Sequence, residues 1–215
     1  MSLHFDREEY LSRQESVFSK LPKSSLAIIP TNDRKIRSND VAYPFRPNSY
    51  MLYLCGWEED EGVLLATNSS GEWVTTLFVP ERDTTKEIWE GIRTGVDGAK
   101  SWPVDQTDSL QRLDSCIKEL VSDRIGVFTI PGTSSSIDIL LDEKTEVNDL
   151  RPYIDTIRRV KSASESNTCK RPHPSHHPHM RRRCAILDPA WGNGRFRPWS
   201  KDTSCRHRAN GASHQ

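Results

Sequence analysis

The sequence is short of apolar residues. They make up 34% of its 215 positions, and 11 glycines add little to that. Globular domains run nearer about 45–50% with glycine counted, so part of this chain is not expected to form core. Long hydrophobic runs are missing too. The longest lies around Met51–Cys55, far below the roughly twenty residues of a membrane helix, so no membrane span is expected. Asp6, Glu8 and Glu9 stand where a signal peptide would carry a basic and then an apolar region, so no export signal is read. Five cysteines without a C-x-x-C pair exclude a zinc ribbon and argue against a disulfide framework. A reducing, cytoplasmic compartment is expected. Histidine is nearly absent from the first 165 residues, where only His4 occurs. Neither an H-E-x-x-H pair nor a Ser/His/Asp or Cys/His set can be assembled there.

What is present divides at Glu165. Residues 1–165 hold 20 Lys and Arg against 28 Asp and Glu, whereas residues 166–215 hold 10 against 2. Six of the seven histidines and three of the five cysteines follow Glu165. This basic segment offers too little apolar surface to offset the entropy of ordering it, so it is expected to be disordered and to carry no specific function. Its abrupt gain in Arg, His, Pro and Cys is of the kind that reading a gene out of frame tends to produce. His173, His176, His177 and His179 lie among prolines that keep any regular element from orienting them, so adventitious metal binding is the expectation. Arg181, Arg182 and Arg183 form a basic cluster too short to imply a nucleic-acid partner.

The first 165 residues alternate helical and strand-like patterns. Asp6 and Glu9 suggest a capping box opening a helix that Pro22 stops. Residues 25–29, 49–54, 62–67, 73–79 and 125–130 read as strands, with a turn at 68–71. Residues 84–90 read as helix, and Asp108 caps a second one bearing Leu110, Leu113, Ile117 and Leu120. Residues 147–160, with a stripe of Leu150, Ile154, Ile157 and Val160, read as a closing helix. The alternation argues for an α/β sheet domain. Leu26, Ile28, Leu52, Leu54, Leu64, Leu77, Val79, Leu113 and Val127 are the expected core.

Three segments could carry chemistry. Trp89, by pattern alone, is a core aromatic in a short helix. The stretch Ser38–Arg46 sets Asp40, Tyr43 and Arg46 in a proline-stiffened loop without regular structure. Glu58, Glu59, Asp60 and Glu61 lack the alternate spacing of a calcium loop and read as a solvated loop.

Asn39-Asp40-Val41-Ala42-Tyr43-Pro44-Phe45-Arg46, followed by Tyr53-Leu54-Cys55-Gly56-Trp57, resembles the N-terminal domain of Xaa-Pro aminopeptidases (aminopeptidase P). The family pattern there is N-D-x-x-Y-P-F-R, then Y-L-T-G-F-x-E-P. A second block, Leu77 to Asp83 and Glu87 to Arg93, is similar to L-F-V-P-x-R-D and E-I-W-x-G-x-R. Pro47, Cys55, Trp57 and Asp60 depart from the pattern, and Asp60 stands where it has proline. The resemblance covers residues 5–165. It implies a mixed, roughly six-stranded sheet flanked by helices, as in the creatinase/prolidase N-terminal domain and, in outline, ribonuclease H.

The boundaries it implies are an N-terminal domain at 1–160, the start of a linker at 161–165 resembling R-x-x-K-S-x-x-E, and the basic tail at 166–215. In the family a larger metallopeptidase domain follows, in which two manganese ions activate water to release a residue ahead of proline. No such ligand set follows Glu165, so the chain is expected to be a truncated, catalytically incompetent fragment without a catalytic or metal-binding residue. The alternative is a stand-alone regulatory module that docks a full-length peptidase. The resemblance further implies a homo-oligomer, with Asp40 and Trp89 reaching a neighbouring subunit's active site. There the carboxylate would receive the peptide's ammonium and the indole would face the proline ring. Tyr43 and Arg46 would shape the loop, Arg46 paired to a nearby acid.

Overall fold

In the computed structural model, residues 3–68, 71–122, 126–141 and 145–170 are described. Helix α1 (Arg7–Phe18) leads to strand β1 (Ser25–Pro30), a small hairpin of β2 (Ile36–Ser38) and β3 (Val41–Ala42), and helix α2 (Ser49–Leu54). Strands β4 (Val63–Thr67) and β5 (Val74–Val79) follow, then helices α3 (Thr84–Glu90) and α4 (Gly95–Ala99). Strand β6 (Gln106–Ser109) runs into a single 3₁₀ turn at Leu110–Arg112 and helix α5 (Leu113–Ser122). Strand β7 (Gly126–Thr129), α6 (Ser135–Leu140), β8 (Val147–Asp149), α7 (Arg151–Arg158) and α8 (Ala163–Lys170) complete the order.

Six strands form one mixed sheet in the order β6-β5-β4-β1-β7-β8. β4 alone runs against the others: it pairs antiparallel with β1 and β5, while β5–β6, β1–β7 and β7–β8 are parallel. Alternate residues of the strands face opposite sides, and both sides are covered. Ala27, Ile29, Leu64, Leu77 and Val79 meet α1, α2, α4 and α7 through Phe18, Met51, Leu54, Ala99 and Ile154. Leu26, Ile28, Leu65, Phe78 and Val127 meet α5 and α6 through Leu113, Ile117 and Ile137. β1, in the middle, is buried at all its positions, as expected of a strand covered on both faces.

Several elements differ from the sequence reading. Residues 49–54 are helical rather than a strand, because the Asn48 side chain accepts the Tyr50 N–H at 2.9 Å and Met51 and Leu54 turn one face to the core. A short apolar run does not distinguish these states by itself. Leu52 is consequently only half-buried. Asp6 occupies the N-cap of α1 without a side-chain capping bond, so no capping box forms. Asp108 lies in β6 and pairs with Arg112 at 3.0 Å, while Ser109 caps the turn that follows. Residues 147–149 are a strand, and α7 starts only after the Asp149 carboxylate takes the Arg151 N–H at 2.9 Å. Val160 lies beyond that helix and is exposed.

By its contacts the chain divides at Ser164, into units 1–164 and 165–215. Helix α8 continues through 166–170, so the first positions of the expected disordered tail are helical. The remainder of that tail, with its histidine and arginine clusters, lies outside the described residues. Among the described residues no helix is long and apolar enough to cross a membrane.

Candidate functional site

Because β4 is the only reversed strand, the carboxyl ends of the other five and the amino end of β4 lie along one edge of the sheet. The β2–β3 hairpin leaves β1 at this edge, the acidic run enters β4 there, and α3 follows β5 there. A cleft of about 520 Å³ opens between them, with Asp33, Arg34, Asp60, Glu90, Arg93 and Asp114 in its lining.

Helix α3 carries Trp89, and none of its side chains is buried. Trp89 is 87% exposed, with Ile88 and Ile92 exposed beside it, so it is not a core aromatic. With no apolar anchor, α3 is held by polar groups. Asp83 caps its first turn, accepting the Thr85 N–H at 2.9 Å. The Arg82 guanidinium grips both oxygens of Glu87, at 2.7 and 2.9 Å. That grip draws the Glu87 carboxyl down from the usual 4.5 to about 2, against the opposing effect of desolvation and helped by the Arg93 N–H. Gly95, at φ +65°, lies against Arg82; a Cβ there would meet Arg82 Cγ at 2.5 Å.

Arg93 closes the far end. Its guanidinium, 13% exposed, donates to Glu90 at 2.7 Å and pairs with Asp60 at 3.1 Å and Glu61 at 3.4 Å. Burial works against the charge on Arg93, but Glu90, Asp60 and Glu61 outweigh it and hold its pKa up. The Arg93 hydrogen bond in turn lowers the Glu90 carboxyl.

Asp40 sits exposed at the tip of the β2–β3 hairpin, beside Asn39 at φ +46°. The segment therefore has regular structure where an irregular loop was expected. Tyr43 is exposed, and its N–H donates to the Lys35 carbonyl at 2.9 Å. The Arg46 carbonyl accepts from Asn32 at 2.9 Å. Among the described residues, however, the Arg46 guanidinium makes no ion pair, and Asp60, the buried acid of this edge, is taken by Arg34 and Arg93. Tyr43 and Arg46 thus make these contacts in the loop through their backbone groups.

The acidic run is not a merely solvated loop. Glu58 meets His4 at 2.6 Å, and Glu59 receives both the N–H of Thr94, at 3.0 Å, and its hydroxyl. Asp60 is buried to 9% exposure. Its Oδ2 takes Arg34 Nε at 2.9 Å and Nη2 at 2.5 Å, and its Oδ1 faces Arg93. Sequence reasoning missed Arg34, Asp60, Glu87 and Arg93, whose partners are supplied largely by other elements. The signal was an acidic run and an arginine-rich segment of matching charge. Asp33, on the same edge, binds the Ser135 N–H at 2.9 Å. Burial would raise its carboxyl, but the Ser135 and Ser134 hydrogen bonds bring it below the usual range.

Among the described residues no group of three or more His, Cys, Asp or Glu side chains could hold a metal ion. The manganese pair implied by the resemblance, which belongs there to a separate domain, finds no donor set among these residues.

A six-stranded mixed sheet with polar loops gathered on one edge defines the class. Residues 10–128 match the family model for the aminopeptidase P N-terminal domain, and the chain belongs to that family. It is 28% identical to the Xaa-Pro aminopeptidase of Haemophilus influenzae over 164 residues, covering 74% of this chain and 38% of the relative. It is 30% identical to the mitochondrial intermediate cleaving peptidase 55 of Arabidopsis thaliana over 166 residues, covering 74% and 33%. Among solved structures it is similar to proline aminopeptidase P II from Yersinia pestis, with a TM-score of 0.67 at 28% identity, covering 75% of this chain and 41% of that one. The chain thus spans about two fifths or less of the length of these proteins.

Proposed function

We propose that this chain serves as the N-terminal domain of an Xaa-Pro aminopeptidase, walling a peptide site without supplying the hydrolytic chemistry. The observation that carries this reading is Trp89, exposed at 87% on a helix with no buried side chain and rooted on the same sheet edge as the Asp40 hairpin. An indole face packs well against an apolar proline ring, and a carboxylate is the natural receptor for a terminal ammonium. In an oligomer the two reach a neighbouring subunit's bound peptide. Hydrolysis of the bond ahead of proline belongs to a separate metallopeptidase domain; two manganese ions are the expected metals, and a solved relative, E. coli aminopeptidase P, carries substituted zinc in complex with product. A cytoplasmic setting fits the free thiols Cys55 and Cys116, although the Arabidopsis relative is named mitochondrial.

The test has two arms. Purified and supplied with manganese, the 215-residue chain should leave an Xaa-Pro-Xaa peptide uncut; cleavage would overturn the absence of chemistry. Mixed with a full-length aminopeptidase P, it should co-purify, and Trp89→Ala or Asp40→Asn should weaken peptide binding by the mixture. The exposed Ile88, Trp89 and Ile92 also favour a second reading, a regulatory module that docks a full-length enzyme. In that case Trp89→Ala abolishes co-purification itself.

A further inference from the structure

Among the described residues, Asp60 is the carboxylate on this edge shared between two arginine side chains from different segments. Arg34 stands two residues before the hairpin that presents Asp40, and reaches Asp60 Oδ2 at 2.5 Å through Nη2. Arg93 stands just past the helix that presents Trp89, and reaches Asp60 Oδ1 at 3.1 Å. Arg93 then returns to Glu90, the neighbour of Trp89 in α3, at 2.7 Å. Arg34, Asp60, Arg93 and Glu90 therefore make one continuous ionic chain from the root of the hairpin to the last turn of the helix. Neither end has an apolar anchor, and the other bonds that hold them, the Arg82–Glu87 clamp on the helix and the Tyr43–Lys35 bond beside the hairpin, do not join one to the other. β2 is exposed at every position and α3 buries nothing.

We propose that Asp60 is a positioning residue that braces the Asp40 hairpin and the Trp89 helix at a fixed spacing. In function, this rests on the reading that those two residues wall a peptide site. The pattern that residues 53–60 otherwise resemble has proline at this position, and a proline side chain can accept no arginine. A carboxylate is suited to the task. Its two oxygens point apart, each can hold one guanidinium, and a position only 9% exposed limits screening without abolishing it, since the Arg34 side chain is 42% exposed. An unshared surface pair would order its two side chains only weakly. One buried acid between two bases couples the elements that carry them.

Hydrogen exchange read by mass spectrometry on the isolated full chain tests the brace. Asp60→Asn keeps the size and removes the charge. It should speed exchange about tenfold in both the 36–42 and 84–90 segments, equivalent to roughly 1.4 kcal/mol of local stability, and leave β1 and β4 unchanged. Arg34→Met should loosen the hairpin segment and Arg93→Met the helix segment. Asp60→Glu, which retains the carboxylate, should keep both protected. The proposal is overturned if Asp60→Asn loosens only one segment, neither, or the whole sheet equally. Should that variant not fold, the unaltered chain is followed through a sodium chloride series. The two segments then gain exchange in parallel if braced, and independently if not. Because exchange is measured without peptide or partner, failure of the peptide-site reading leaves this result untouched, and the reverse holds as well.

Discussion

Trp57 and Trp89 are the same side chain in opposite surroundings. Trp57 is sealed in the core, edge-on to Trp102 at 5.1 Å between ring centroids. Trp89 has no such enclosure. Trp57→Ala is expected to cost about 3–5 kcal/mol, as for other buried aromatics, and Trp89→Ala to stay within about 0.5 kcal/mol, as for a surface site. Urea unfolding of the two variants checks this, and a large loss at Trp89 would mean that its ring packs against something in solution. Nothing local in the sequence separates the two residues. Trp89 sits between Ile88 and Ile92, which makes an apolar helix look buried; only the absence of any strand or helix across from it decides otherwise. Asp60 was equally hidden, since its partner Arg34 lies 26 residues away and pairing across that distance is a product of the fold. Asp40 and Trp89 stood out through family motifs, whereas the charges that hold their elements did not.

At the scale of elements, α3 shows a helix maintained by polar contacts alone. Its Arg82–Glu87 clamp can be tested by acid. The folded Glu87 carboxyl titrates near 2, below its usual 4.5. For a depressed carboxyl, the linked stability is fully present above about pH 4.5 and is lost as pH falls through about 2. A carbon-13 titration of the side-chain carboxyl should therefore give a Glu87 midpoint near 2, returning toward 4.5 in Arg82→Met, with α3 amides loosening across that interval. A midpoint near 4.5 in the unaltered chain would mean that the clamp does not persist in water. Strands with strong apolar runs, such as β1, β4 and β5, were legible because the turns bounding them were equally plain. β6 and β8 were not. Their segments, Gln106–Ser109 and Val147–Asp149, have no apolar alternation, and they become strands by pairing onto the exposed sides of β5 and β7.

At the scale of the molecule, the acidic first part of the chain contains a complete two-sided core. Among the described residues, every member of both buried clusters lies between Val17 and Ile154, with the six-stranded sheet between them. Hydrophobic burial is the principal favourable term in folding, and a sheet covered on both faces has no apolar side left to protect. The charge excess of the last fifty residues, 10 bases against 2 acids, marks them as different in composition from the part that holds these clusters. A chain ending at Lys170 retains every described element, α8 included, and should unfold cooperatively at the same Tm as the full 215 residues. Differential scanning calorimetry on the two proteins decides the point. A fall of about 2–4 °C corresponds to roughly 1 kcal/mol for a chain of this size, so a drop of that order on truncation would mean that residues beyond 170 stabilise the domain. An unchanged Tm would place the folding unit within the first 170 residues and leave the basic segment free of any structural duty.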